Sequence, residues 1–166
     1  TTEIKKDYAV AVLDPAGNVT ALVLSDVPAA ERVQVAARLL RLPELHIEQA
    51  AFLTAPRCGG EIRLEMMGGE FCGNALRCAG FYHALRTGAQ GKTCVFAEIS
   101  GAEGVQPVRK RPEGREHRLE GPCLNVHYFH NHCNFRFDIC FILFSDPDSV
   151  PQFSESRRNI LNFKTG

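Results

Sequence analysis

The chain has no run approaching the roughly 18 consecutive apolar residues of a membrane-spanning helix. It has no net charge either, with 19 Lys and Arg against 19 Asp and Glu. A general polyanion binder is normally basic, so nucleic acid is excluded as a first partner. The start, Thr1-Thr2-Glu3-Ile4-Lys5-Lys6-Asp7, lacks the apolar core of a secretory leader. The seven cysteines are an odd number and contain no Cys-x-x-Cys pair. We read them as reduced thiols of a cytoplasmic protein rather than a disulfide framework. No repeat of solenoid period occurs. Alanine is missing from the last 64 residues, although seventeen lie between Ala9 and Ala102.

What is present reads as globular. Of 166 residues, 45% are hydrophobic and 23% charged, enough to bury a core without disulfides or a metal. The alanine cut-off marks a change of composition. Seven of the eleven Phe and four of the six His follow Pro112. A charged, breaker-containing stretch, Arg109-Lys110-Arg111-Pro112-Glu113-Gly114-Arg115-Glu116-His117-Arg118, lies at that junction. We therefore divide the chain into residues 1–112 and a tail, 113–166. The tail is a foreign or frame-shifted segment or a divergent second unit, and the sequence leaves both open.

The first 112 residues alternate strands with two helices. Strands are expected at 8–13, 19–24, 50–54, 61–67, 93–99 and 104–108. The first two form a hairpin through the turn residues Asp14-Pro15-Ala16-Gly17-Asn18. Val33, Ala36, Ala37 and Leu40 recur at helical spacing over 29–40. A second helix is expected over 71–85. From Ala75 onward it is apolar on almost every face, so it is a buried helix. An α+β fold follows, with a curved, antiparallel-rich sheet wrapped around this central helix.

The chemistry concentrates where that helix begins, in Gly68-Gly69-Glu70-Phe71-Cys72-Gly73-Asn74. Glycines let a ligand approach the backbone, and free N–H groups at a helix start bind anions such as a carboxylate. The helix dipole favours a thiolate at the same place, so Cys72 is placed to act as a base or nucleophile. The alternative is that Cys72 is an inert buried thiol, the usual fate of a free cysteine.

Glu70-Phe71-Cys72-Gly73-Asn74-Ala75, followed by Arg77-Cys78, resembles the first catalytic motif of the diaminopimelate epimerase superfamily of cofactor-independent amino-acid racemases and epimerases. Pro15-Ala16-Gly17-Asn18-Val19-Thr20 resembles that superfamily's early Gly-Asn turn. Glu48-Gln49-Ala50-Ala51-Phe52 resembles a segment of its histidine racemase branch. The resemblance spans roughly residues 8–108 and implies one half of that fold. It also implies an amino-acid substrate, no cofactor, and a mechanism. One Cys thiolate removes the α-proton, and a second Cys thiol returns a proton from the opposite face. In these terms Cys72 is one base, Asn18, Gly73 and Asn74 hold the substrate carboxylate and amine, and Glu48 faces a polar substrate side chain or orients the site. From composition alone, Asn18 is equally a plain turn residue and Glu48 a solvated charge.

The family's second Cys lies in a Gly-Ser or Gly-Thr-rich helix start in a second half. Cys123, Cys133 and Cys140 have no such surroundings. Two readings follow for this chain: a racemase that is truncated, or a non-catalytic half-domain serving as a binding or assembly module. A third is that two copies form a homodimer and complete a pseudo-symmetric site. The cluster Cys123, His127, His130, His132, Cys133 and Cys140 has ligand types that zinc uses, but the spacing of no standard site, so no metal is expected.

Overall fold

The computed structural model describes residues 6–14, 18–88, 94–110, 127–129, 136–144 and 152–158, with side chains over 8–14, 18–88 and 94–109. The architecture is α+β. Six strands, β1 (Lys6–Asp14), β2 (Thr20–Val23), β3 (Gln49–Thr54), β4 (Ile62–Met66), β5 (Cys94–Ile99) and β6 (Gln106–Lys110), are interspersed with helices α1 (Ala29–Leu39) and α2 (Gly73–Arg86). Three further strands, β7 (His127–Phe129), β8 (Arg136–Phe144) and β9 (Gln152–Arg158), extend the sheet at its edges. The order is β7-β6-β5-β4-β3-β2-β1-β8-β9, with no closing pair among the described residues.

The expected hairpin is β1–β2, antiparallel, with Leu13 opposite Thr20. The sheet is mixed and, as expected, antiparallel-rich. β2–β3 and β4–β5 run parallel, while β1–β2, β3–β4 and β5–β6 run antiparallel. The parallel pairs arise because a helix intervenes between their strands, α1 in the first case and α2 in the second.

Strand alternation sorts the core into two layers. Ala11, Leu13, Leu22, Ala51, Ile62, Leu64, Met66, Val95, Ala97 and Ile99 pack with α2 on one face. Val10, Val12, Ala21, Val23, Ala50 and Phe52 pack with α1 on the other. β1 to β3 are therefore apolar on both faces, as strands covered by helices on each side must be. Ala75, Leu76, Cys78, Ala79, Gly80, Phe81 and Tyr82 are all buried, which takes in every side of α2. β2, β4, β5, β6 and β7 contact that helix, and the sheet curls about it. An all-round apolar helix has no other stable placement in a water-soluble fold.

Behind β4 and β5, on the face away from α2, lies a polar cluster. The Glu98 carboxylate is fully buried. It accepts the N–H groups of Arg57 (2.8 Å), Cys58 (2.7 Å) and Gly60 (2.9 Å), and Nη1 of Arg63 at 3.3 Å. Burial acts to raise this carboxyl's pKa. The N–H groups of Arg57, Gly60 and Cys58 and the Arg63 guanidinium outweigh it and hold the pKa at about 2. Burial also opposes the Arg63 charge, and Glu65 and Glu98 overcome that and raise the guanidinium pKa. The carboxylate thus ties the loop 57–60 to the sheet.

A pH dependence follows with a definite sign. The folded pKa of about 2 lies below the ordinary glutamate value of 4.5. The stabilisation is therefore fully present above pH 4.5 and lost as pH falls towards 2. Denaturant unfolding of Glu98→Gln is expected to show lower stability at neutral pH and a shallower loss across that acid window than the parent chain. Equal slopes in the two proteins would contradict this assignment.

Candidate active site

α2 begins one residue after the thiol. Cys72 is extended, with φ −138° and ψ 111°, and is the N-cap of α2. Its Sγ accepts the Ala75 N–H at 3.5 Å, and its carbonyl accepts the Leu76 N–H at 3.0 Å. The helix therefore starts at Gly73, two residues later than the sequence pattern predicts, because a capping residue takes extended rather than helical backbone angles. The sulfur lies at the positive end of the helix dipole. The N–H groups of Gly73 and Asn74, the first two of the helix, have no acceptor within it.

The approach to α2 is held from behind. Ser100 donates its hydroxyl to the Glu70 carbonyl at 3.0 Å and accepts the Met66 N–H at 2.8 Å. Gly101, at φ +74°, lies directly against the Glu70–Phe71 backbone. The turn after β5 thus seats the segment that delivers Cys72.

The wall facing Cys72 comes from the parallel pair β2–β3. Thr20 and Gln49 are the first register pair of that ladder. By alternation both share the α2 face with Leu22 and Ala51. The Cys72 thiol donates to Gln49 Oε1 at 3.1 Å, Gln49 Nε2 donates to Thr20 Oγ1 at 2.6 Å, and the Thr20 hydroxyl donates to the Asn18 carbonyl at 3.1 Å. Asn18 has φ 71°, the left-handed conformation that asparagine tolerates better than most residues.

Of the residues singled out in the sequence, Cys72, Gly73 and Asn74 lie together at the start of α2. Asn18 joins them through the chain Gln49–Thr20. Glu48 reaches the same turn differently. Its Oε2 accepts the Val19 N–H at 2.7 Å, and its own N–H donates to the Val19 carbonyl at 2.9 Å. In this structure its carboxylate braces the turn that presents Asn18. The sequence reading did not single out Gln49, Thr20, Ser100 or Gly101. The signal for the first two was strand parity, which needs the β2–β3 register to be read.

Cys78 lies in the core, inside the apolar run of α2. Burial pushes its thiol up to about 12, against the lowering influence of a hydrogen bond with Thr20 and of the Arg77 charge. No group of three or more His, Cys, Asp or Glu is placed to hold a metal ion among the described residues. The cluster from Cys123 to Cys140 falls on residues whose side chains lie outside those described. Among the described residues, no helix is long and apolar enough to cross a membrane.

Residues 10–120 match the family described as the histidine racemase CntK N-terminal domain. No curated protein matches the chain.

Proposed function

We propose, from the premise that the chain belongs to the histidine racemase CntK N-terminal domain family, that it carries one half of a cofactor-independent racemase site with Cys72 as a base. A racemase domain takes a small-molecule substrate, and histidine is the amino acid the family description names. The observation that carries the reading is the position of Cys72 Sγ at the N-terminus of α2, with its donor contact to Gln49.

The chemistry follows from that position. The α-proton of an amino acid is a very weak acid. A positioned base contributes about 10²–10⁴-fold, so most of the barrier must be lowered by electrostatic stabilisation of the carbanion. The Gly73 and Asn74 N–H groups are suited to bind the substrate carboxylate, where the helix dipole also offsets the developing charge. The Cys72 thiolate then takes the α-proton and becomes a thiol. Inversion needs a second thiol on the other face to return a proton. Asn18 borders the substrate, and Glu48 holds that border in place.

We propose further that residues 1–112 form the racemase half and that 113–166 do not supply the second thiol. Cys123, Cys133 and Cys140 lack a Gly-Ser or Gly-Thr-rich setting. The same feature supports a second reading, a half-domain that binds an amino acid without turning it over. The cysteine usage supports a reducing, cytoplasmic setting.

Millimolar histidine is expected to slow iodoacetamide alkylation of Cys72 while leaving Cys58 unchanged. Conversion of L-histidine to D-histidine should be slight or nil with this chain alone. Absence of protection would remove the substrate site from the account. Brisk formation of D-histidine would contradict the missing second base.

A further inference from the structure

The hydrogen-bond chain from Cys72 to Asn18 has a direction, and the proton on Cys72 sets it. With a thiol, every link is satisfied. Cys72 donates to Gln49 Oε1, Gln49 Nε2 to Thr20 Oγ1, and Thr20 to the Asn18 carbonyl. Cys78 also hydrogen-bonds Thr20. Thr20 is fully buried, so its hydroxyl hydrogen must find an acceptor within the protein.

A thiolate breaks this arrangement. It has no proton to donate and would face the negative end of the Gln49 carbonyl at 3.1 Å. A half-turn of the amide removes the conflict, since Nε2 then donates to the sulfur. That rotation brings Oε1 to Thr20 Oγ1, now 2.6 Å from the amide nitrogen. Two oxygens so close need a proton between them. The only one on that side is the Thr20 hydroxyl hydrogen, which must turn away from the Asn18 carbonyl.

We propose that Gln49 is a positioning residue whose side-chain amide reverses with the charge on Cys72, and that Thr20 follows the reversal and releases the Asn18 carbonyl each time the thiolate forms. The inference rests on the proposed role of Cys72 and deepens it. Gln49 stabilises the thiolate by donating to it, and Thr20 acts on the sulfur without touching it.

The test is the pH–rate profile of Cys72 alkylation by iodoacetamide in the full chain, mapped by mass spectrometry. A hydrogen bond to a charged group is worth roughly one pH unit of midpoint or more. Gln49→Leu should raise the midpoint by about one unit, or about tenfold in rate below it. Gln49→Glu keeps the size but cannot donate when ionised, and should raise the midpoint at least as far. Thr20→Val removes one bond from each orientation of the amide and also the cost of releasing the Asn18 carbonyl, so it should lower the midpoint in the wild-type background and change nothing in the Gln49→Leu background. Thr20→Ser should restore the wild-type profile. An unmoved midpoint in both Gln49 variants would overturn the proposal. So would a Thr20→Val shift of equal size with and without Gln49. Turnover does not enter this readout. Failure of histidine protection would remove the substrate site and leave this device standing, whereas an unmoved midpoint would do the reverse.

Discussion

Gly101→Ala is expected to destabilise the protein by about 2–4 kcal/mol and to displace Cys72, the residue that follows the backbone it lies against. Two costs add. At φ +74° an L side chain is strained wherever it points. A methyl group there would also run into the backbone nitrogen of Phe71 and lie 2.6 Å from the Glu70 carbonyl carbon. Those are main-chain atoms, so no rotamer change relieves the collision. The segment that must give way ends one residue before Cys72, and Ser100 anchors it at Glu70. The predicted result is a lower unfolding midpoint together with an altered Cys72 alkylation rate. Gly104→Ala separates the two costs. Gly104 has φ +69° but nothing within 4 Å of its added carbon. It should lose about 1 kcal/mol and leave Cys72 unaffected. Equal losses at the two glycines would show that strain alone operates and that Gly101 does not seat the loop.

The parts legible in the sequence were those governed by local pattern. α2 reads as a buried helix because Ala75 to Tyr82 offers almost no polar face, and it is buried on every side. The strand faces of β4 read directly from Ile62, Leu64 and Met66 alternating with Arg63 and Glu65. Cys72 stands out because glycines and small residues precede an apolar helix. The parts not legible depend on residues far apart in the chain. Gln49 and Thr20 become one unit only when β2 and β3 pair in parallel register, across 29 residues. Glu98 sits in an alternating strand where a solvated charge is the ordinary expectation. Its burial depends on three N–H groups from a loop some 40 residues earlier. Glu48 carries the same lesson. Resemblance suggested a substrate-facing or site-orienting carboxylate, and in the structure it accepts the Val19 N–H beside Asn18.

If Cys72 is the proposed base, electrostatic setting and not access makes it the reactive thiol. Four cysteines lie in residues 1–112. Cys58 is exposed, Cys72 and Cys94 are half-buried, and Cys78 is buried. Access alone therefore favours Cys58. Cys78 is removed from the contest by burial, which pushes its thiol up to about 12. Glu70 is the neighbour that would oppose a thiolate, but its carboxylate lies over Gly68. The measurement is limited iodoacetamide labelling near neutral pH without denaturant, with each cysteine followed by mass spectrometry. Cys72 should label first among the four despite its partial burial, and Cys72→Ser should abolish the fast phase. If Cys58 or Cys94 labels ahead of Cys72, or the fast phase survives Cys72→Ser, the helix N-terminus does not activate this thiol and its proposed role as a base is contradicted.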